Sequence, residues 1–361
     1  MATTTQAPAE TQSVDPNGRL SVRASTEPLK PTGALDKFEH FEVTPVIGRQ
    51  YPNVQLVDLL NAENSDELIR ELAIIVSQRN VVFFKNQDIT VEQQKELGNK
   101  LGILSGRPKE SGLHIHPSTA PSSELGDYIS VIRSNTDKTK HYEDPGDMPT
   151  FAAREFHSDI TFENVPSDFA ILKIHTLPPT GGDTLWASAY EAYDRLSPPF
   201  AKYLEGLTAV HDGNKFRTGA KANGTESNLR AGPRGHPTNV GLDFRTVHPV
   251  IRTNPVTGWK ALFVNQGFTK RIVELTKEES DATLKLLFRA YTENHDLQVR
   301  YKWEKNDIAI WANSTAIHSA TRDVEGFRSG DRVVSIGERP YFDPESKSRR
   351  EALGLPRFRA H

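Results

Sequence analysis

The hydrophobic pattern changes texture along the chain. Residues 1–35 are rich in Thr, Ala, Pro, Ser and Glu, carry no periodic apolar positions and predict a disordered tail. From 38 to 56 short apolar groups alternate with turn residues. Over 65–78 Leu68, Leu72, Ile75 and Val76 share one helical face, Ser65 can cap the start and acids crowd the first turn. Val81-Val82-Phe83-Phe84 has the β-branched and aromatic content of a buried strand, and Thr90 caps a second amphipathic helix that reaches Leu101.

Beyond Ile103 short strands and long loops take over. Strands are predicted over 128–132, 151–162 and 169–174, ahead of a Thr180-Gly181-Gly182-Asp183 turn. Helices fall over 187–196 and 199–204. Residues 213–243, dense in Gly, Asn, Pro and basic residues, read as one long surface loop of the kind that forms lids or binding elements. Strands resume over 247–252 and 261–265; a helix covers 277–294, and strands follow over 298–303, 307–311 and 332–338. Many short strands with a few flanking helices predict a mainly β fold, a jelly-roll barrel. Two helices around one strand are too few for a doubly wound sheet, and no GxGxxG or GxxxxGK[ST] loop follows a strand.

Composition narrows the class. Hydrophobic residues make up 36% and charged residues 25% of 361, which suits a globular chain with an ample core. A net charge of -3 gives no reason to expect nucleic acid as a partner. There is no cysteine, so disulfides, thiolate metal sites and a cysteine nucleophile are excluded. The start, Met1-Ala2-Thr3-Thr4-Thr5, lacks a basic, apolar leader, and no apolar run approaches the ~18 residues of a membrane span. No membrane association is expected, and the cytoplasm is the expected location. The sequons at Asn223 and Asn313 are then accidental.

The candidate chemistry centres on Phe156-His157-Ser158-Asp159-Ile160, with His318 far downstream. In a strand, residues i and i+2 share a face, so His157 and Asp159 can grip one ion. Asp159 among apolar neighbours would be costly as a lone buried anion, and a cation removes that cost. Two histidines and a carboxylate on one side of an octahedral metal leave open positions, the geometry of non-haem iron(II) sites. His-x-Asp alone recurs by chance; the segments around it decide its meaning.

Those segments are Phe156-His-Ser-Asp-Ile-Thr-Phe162, Pro178-Pro-Thr-Gly-Gly-Asp-Thr-Leu-Trp186, Ala189-Tyr-Glu-Ala-Tyr-Asp-Arg-Leu-Ser197, Ala261-Leu-Phe-Val-Asn-Gln-Gly-Phe268 and Trp311-Ala-Asn-Ser-Thr-Ala-Ile-His318. In this order they resemble the taurine/2,4-dichlorophenoxyacetate dioxygenase family, and most of all its sulfonate-cleaving members of fungal type. The resemblance implies a cupin-like double-stranded β-helix as one domain over 36–345, with an extension over 346–361. It also implies iron(II), 2-oxoglutarate as co-substrate and dioxygen. The expected reaction hydroxylates the carbon next to a sulfonate and releases sulfite, an aldehyde, succinate and carbon dioxide. An alkyl sulfate ester dioxygenase, a phenoxyacetate-type carboxylate hydroxylase and an inactive cupin-like binding protein are the alternatives. Homo-oligomers are common in the family.

Carried onto this sequence, the resemblance assigns His157, Asp159 and His318 to the metal. Thr184 and Arg328 fall to the far carboxylate of 2-oxoglutarate, and His116 and Arg332 to the substrate anion. Planar guanidinium suits a carboxylate because it can bind it bidentately. Arg322 is the third candidate arginine after His318; the closing Gly337-Glu-Arg-Pro340 strand favours Arg328 and Arg332. His114, two residues before His116, has a structural role in this reading. Thr119 and Ala153 stand where a taurine-specific member has Tyr and Asn, and residues 134–151 form a longer loop with Glu143, Asp144 and Asp147. These departures keep the anion site and put taurine in doubt. Phe216, Phe263 and Phe268 are candidates for an apolar wall or for core.

Overall fold

A computed structural model gives the fold and describes residues 10–14, 20–24, 27–119, 125–135 and 151–356. The chain opens with strands β1 (Glu10–Val14), β2 (Leu20–Ala24), β3 (Phe41–Glu42) and β4 (Arg49–Tyr51), then helices α1 (Leu56–Asn61) and α2 (Ser65–Arg79). Next come β5 (Val81–Phe84), α3 (Val91–Leu104), β6 (Ser130–Asn135), β7 (Ser167–Thr176) and β8 (Thr184–Ser188). The middle holds α4 (Ala189–Asp194), α5 (Pro198–Leu204), β9 (Thr208–Asp212), α6 (Lys215–Ala222), β10 (Arg245–Pro249), β11 (Ile251–Thr253), β12 (Lys260–Leu262) and β13 (Thr269–Ile272). The last part is α7 (Lys277–Thr292), β14 (Gln298–Tyr301), β15 (Asp307–Ala312), β16 (Ala316–Ala320), β17 (Phe327–Ile336) and α8 (Arg349–Ala352).

A large sheet in the order β3-β4-β5-β15-β7-β17-β6 faces a small one in the order β14-β8-β16. This is the jelly roll expected from the sequence. Strand alternation explains how one buried strand serves two cores. Along β15, Ile308, Ile310 and Ala312 point to the layer of α2 and α3, while Ala309 and Trp311 point into the barrel. The same division sorts Val82 and Phe84 from Val81 and Phe83 on β5. Leu68, Leu72 and Val76 of α2 fill the outer layer, as their helical spacing requires. Thr90 caps α3 through a reciprocal box with Gln93.

Several boundaries differ from those expected. The body begins before residue 36: β1 pairs with β2, Glu71 accepts hydrogen bonds from the N–H groups of Thr32 (2.7 Å) and Gly33 (3.3 Å), and Leu35 is buried. Polar composition hid these contacts because they use backbone donors. The 213–243 segment is not one irregular loop, since α6 occupies its first part. The strand expected over 151–162 is replaced by a 3-10 turn over Ala152–Glu155, a single bridge at His157 and turns beyond. The expected helix over 187–196 shortens to α4. At the other end the extension docks on α4, where Arg350 Nη2 donates to the buried Glu191 carboxylate at 2.6 Å. Glu143, Asp144 and Asp147 lie outside the described residues. Among the described residues no helix is long and apolar enough to cross a membrane.

Candidate active site

His157 and His318 are joined by backbone before their side chains meet. Each donates its N–H to the other's carbonyl, at 2.9 and 2.8 Å, so the central residue of β16 lies beside the one that leaves the 3-10 turn. Their ring centroids are 4.4 Å apart. Gly267 makes room for this pair, because a Cβ there would lie 2.8 Å from His157 Cβ. His157 Nδ1 bonds the Glu155 carbonyl at 2.8 Å, which assigns its proton to Nδ1 and leaves Nε2 as a lone-pair donor.

Asp159 reaches the same point by a turn rather than by strand alternation. The Asn313 side-chain oxygen accepts from the Asp159 N–H at 3.1 Å, and Ser158 Oγ donates to the Asn313 carbonyl. Ile160 then takes φ 51°, a left-handed conformation that is strained for a β-branched residue, on the order of 1–3 kcal/mol. Asn313 is thus a positioning residue with a buried side chain, a role that neither its sequon nor its place in the Trp311–His318 segment reveals.

The donor atoms of His157, Asp159 and His318 all lie within 4.8 Å of one another. Asp159 Oδ1 is 3.4 Å from His157 Nε2, and Oδ2 is 3.8 Å from His318 Nε2. Burial alone would raise the Asp159 carboxyl, but Arg332 and the two histidines hold it well below the usual carboxylate range. Burial, then the neighbouring His157, pushes His318 down to about 3, so it is a neutral ligand at neutral pH. Asp159 Oδ2 is buried without a hydrogen-bond partner. A buried anionic oxygen facing two imidazoles fits a divalent metal and is poorly satisfied by anything else present.

Both assigned arginines lie on β17, four residues apart on one strand face. Arg332 Nη1 donates to Asp159 Oδ1 at 2.8 Å, while its buried Nε has no partner. Arg328 is almost fully buried, and its Nε and Nη2 have no partner either. Burial lowers its guanidinium to about 10, against the pull of Asp183. Gly182, at φ 75°, lets Arg328 through, because a Cβ there would lie 2.7 Å from Arg328 Cδ. Thr184 Oγ1 accepts the Trp303 indole N–H at 3.0 Å, and the Arg328 guanidinium lies 5.9 Å from the Trp303 ring. Trp303 therefore ties the two residues together, a role its place at the predicted end of a strand did not reveal. Arg322 instead pairs with Glu155 at the surface.

His116 sits apart from any strand. Burial, then His114 and Arg332, pushes its imidazole down to about 3. Its Nδ1 accepts the Ser118 N–H at 3.2 Å, so Nε2 carries the proton and can donate. His114 is structural: it is buried, with Nε2 3.3 Å from Glu163. Arg234 forks onto the same Glu163 carboxylate at 2.6 and 2.8 Å, which anchors the 213–243 segment beside the metal turn. The distant Arg234 carried no sequence signal for this pairing. Phe216 lies 4.9 Å from the His116 ring and Phe268 6.1 Å from the His157 ring, so these two form a wall. Phe263 packs instead against His211 and His248.

A jelly roll with two histidines and a carboxylate converging at one end defines a mononuclear non-haem metal enzyme. The chain belongs to the taurine catabolism dioxygenase TauD, TfdA family, whose model matches residues 38–334. It is 46% identical over 342 residues to the alpha-ketoglutarate-dependent dioxygenase btcD of Neocamarosporium betae, covering 90% of this chain and 98% of that one. It is 31% identical over 305 residues to the alpha-ketoglutarate-dependent sulfonate dioxygenase of Saccharomyces cerevisiae, covering 84% and 68%. The structure of a taurine dioxygenase from Burkholderia xenovorans superposes with a TM-score of 0.63 at 26% identity, covering 85% of this chain and 92% of that one. The protein is an iron(II)- and 2-oxoglutarate-dependent dioxygenase, not an inactive binding protein.

Proposed function

We propose that this dioxygenase hydroxylates the carbon next to a sulfonate. The observation that carries the reading is the pair formed by Arg332, with spare donors, and the protonated Nε2 of His116, both lining one cleft with Asp159 beside them. Such a pair suits a small tetrahedral anion. The yeast relative named as a sulfonate dioxygenase supports the same class.

In this reading His157, Asp159 and His318 hold the iron(II), which when bound supplies the redox chemistry that activates dioxygen. Arg328 and the Thr184 hydroxyl hold the far carboxylate of 2-oxoglutarate. Arg332 and His116 orient the sulfo group so that its neighbouring C–H faces the metal, and Phe216 and Phe268 exclude water from the remainder. The hydroxylated product then collapses: the hydroxyl proton leaves, the C=O bond forms and the C–S bond breaks with its electrons going to sulfite. Thr119 and Ala153, in place of the Tyr and Asn of a taurine-specific member, argue against taurine as the substrate. Homo-oligomerisation and a cytoplasmic location complete the reading.

A panel of sulfonates, alkyl sulfate esters and phenoxyacetates tests it, scored for sulfite, sulfate and succinate. Sulfite equal to succinate from a sulfonate is the expected result. Sulfate release from esters alone would make the protein an alkyl sulfate ester dioxygenase. Succinate with neither product, in the presence of a phenoxyacetate, would make it a carboxylate hydroxylase.

A further inference from the structure

The first residue of α6, Lys215, is a cation that neither the metal site nor the co-substrate site uses. Its ammonium lies 4.4 Å from the centroid of the Phe268 ring and 5.5 Å from that of Phe216, the rings that stand beside His157 and His116. Among the described residues it forms no ion pair with a carboxylate. The nearby acid, Glu155, is already paired with Arg322. Beyond burial, the field of Glu155 is the largest on Lys215; that of Lys270 opposes it, and that of Asp159 is smaller still. The side chain is solvent-accessible, so a ligand can meet it.

We infer that Lys215 reads the far end of the substrate and selects sulfonates that carry a second anionic group, such as a carboxylate, over those with an ammonium tail. This rests on the sulfonate reading above. If His116 and Arg332 take the sulfo group, the rest of the molecule runs along Phe216 and Phe268, beneath the Lys215 ammonium. Charge decides which tail is welcome there. The iron(II), 2-oxoglutarate, Asp159, Arg328 and Arg332 leave one formal positive charge, which the sulfo group cancels. Lys215 then remains as an unbalanced cation, which attracts a carboxylate and repels an ammonium. The exclusion of taurine, argued above from Thr119 and Ala153, gains a direct electrostatic cause.

Three substrates of matched length isolate the effect: 3-sulfopropanoate, 1-propanesulfonate and taurine, with anionic, neutral and cationic tails. The expected order of kcat/KM, read as sulfite released, follows that sequence. Lys215→Gln should lower the ratio of 3-sulfopropanoate to taurine by about three- to tenfold, the range of a single accessible charge pair. Lys215→Glu should lower it further and favour taurine, while Lys215→Arg keeps the wild-type order. The propanesulfonate value should change little throughout, which controls for folding and for iron loading. The ratio should also flatten as salt rises, because the pair is screened. A ratio that is the same in wild type, Lys215→Gln and Lys215→Glu would overturn the role of Lys215 and leave the sulfonate reading standing. Absence of sulfite from every sulfonate with the wild-type enzyme would overturn both.

Discussion

The two ends of the cleft are built differently. At the end proposed to hold the co-substrate, Thr184 lies on β8, Arg328 on β17 and Trp303 just past β14, and all three are buried. At the end proposed for the substrate, His116 belongs to no strand, Lys215 opens a short helix and Phe216 is only half-buried. Residues fixed by strand pairing and burial have few alternatives, whereas residues on loops and helix ends can change without disturbing the barrel. The contrast suits the proposed division, in which one end serves the co-substrate and the other the primary substrate. Arg332 joins the two ends, since it shares a strand with Arg328 and bonds Asp159 of the donor trio.

The largest effect is expected where both ends depend on one residue. Asp159→Ala removes the only carboxylate of the donor trio and leaves Arg332 without its partner. Bound iron, measured by metal analysis after purification, should fall by more than about a hundredfold, beyond the loss typical of outer-shell changes. Succinate production should cease. An Asp159→Ala protein that retained iron and 2-oxoglutarate turnover would break the site at its centre.

Arg328→Ala comes next and should strike the co-substrate end alone. Losing a charge-assisted contact to a bound carboxylate costs on the order of 2–5 kcal/mol, mostly from the partner left unpaired. The KM for 2-oxoglutarate should rise by the corresponding factor with every primary substrate. Iron content should stay at the wild-type level.

Arg332→Ala sharpens the comparison because its effect is split. Without the 2.8 Å bond to Asp159, iron affinity should fall by about 10- to 100-fold. With iron in excess, 2-oxoglutarate should still bind, giving its metal-to-ligand absorption under anaerobic conditions. The sulfonate KM should rise, and succinate should form in excess over sulfite because no C–H bond is held in place. Arg332→Lys should recover only part of the loss, since a point charge cannot reproduce the planar fork. Loss of the 2-oxoglutarate complex with unchanged sulfonate affinity would mean that the two arginines exchange roles.

The sequence exposed these two ends unequally. Alternation along β5, β7 and β15 and the Thr90 cap of α3 follow local rules, so the barrel and its helical layer were legible, although Ser65 is the first residue of α2 and not its cap. His157, Asp159 and His318 could be named from spacing and flanking motifs, yet the reason they converge was misread. A strand was expected to put His157 and Asp159 on one face; the structure uses a bridge to His318 and a turn pinned by Asn313. Contacts such as Glu163 with Arg234, Asn313 with Asp159 and Trp303 with Thr184 span 71 to 154 positions and depend on the closed barrel. No periodicity encodes them.

The smallest effect tests whether Trp303 belongs to the co-substrate end by its hydrogen bond or only by its bulk. A threonine hydroxyl has one proton and two lone pairs. By accepting the indole N–H at 3.0 Å, Thr184 Oγ1 keeps its own proton free to donate to a carboxylate. Trp303→Phe removes that donor and keeps an aromatic ring against Tyr301 and Trp186, which pack on it at 5.2 and 6.1 Å. One neutral hydrogen bond is worth about 1 kcal/mol, so the Kd for 2-oxoglutarate should rise roughly fivefold. Pyruvate, which has the keto-acid end but no far carboxylate, should bind the variant and the wild type alike. The double variant with Thr184→Val should be no worse than Thr184→Val alone, because the indole acts through the hydroxyl. Additive losses in that cycle, or equal weakening of pyruvate and 2-oxoglutarate, would show that Trp303 only fills space behind Arg328.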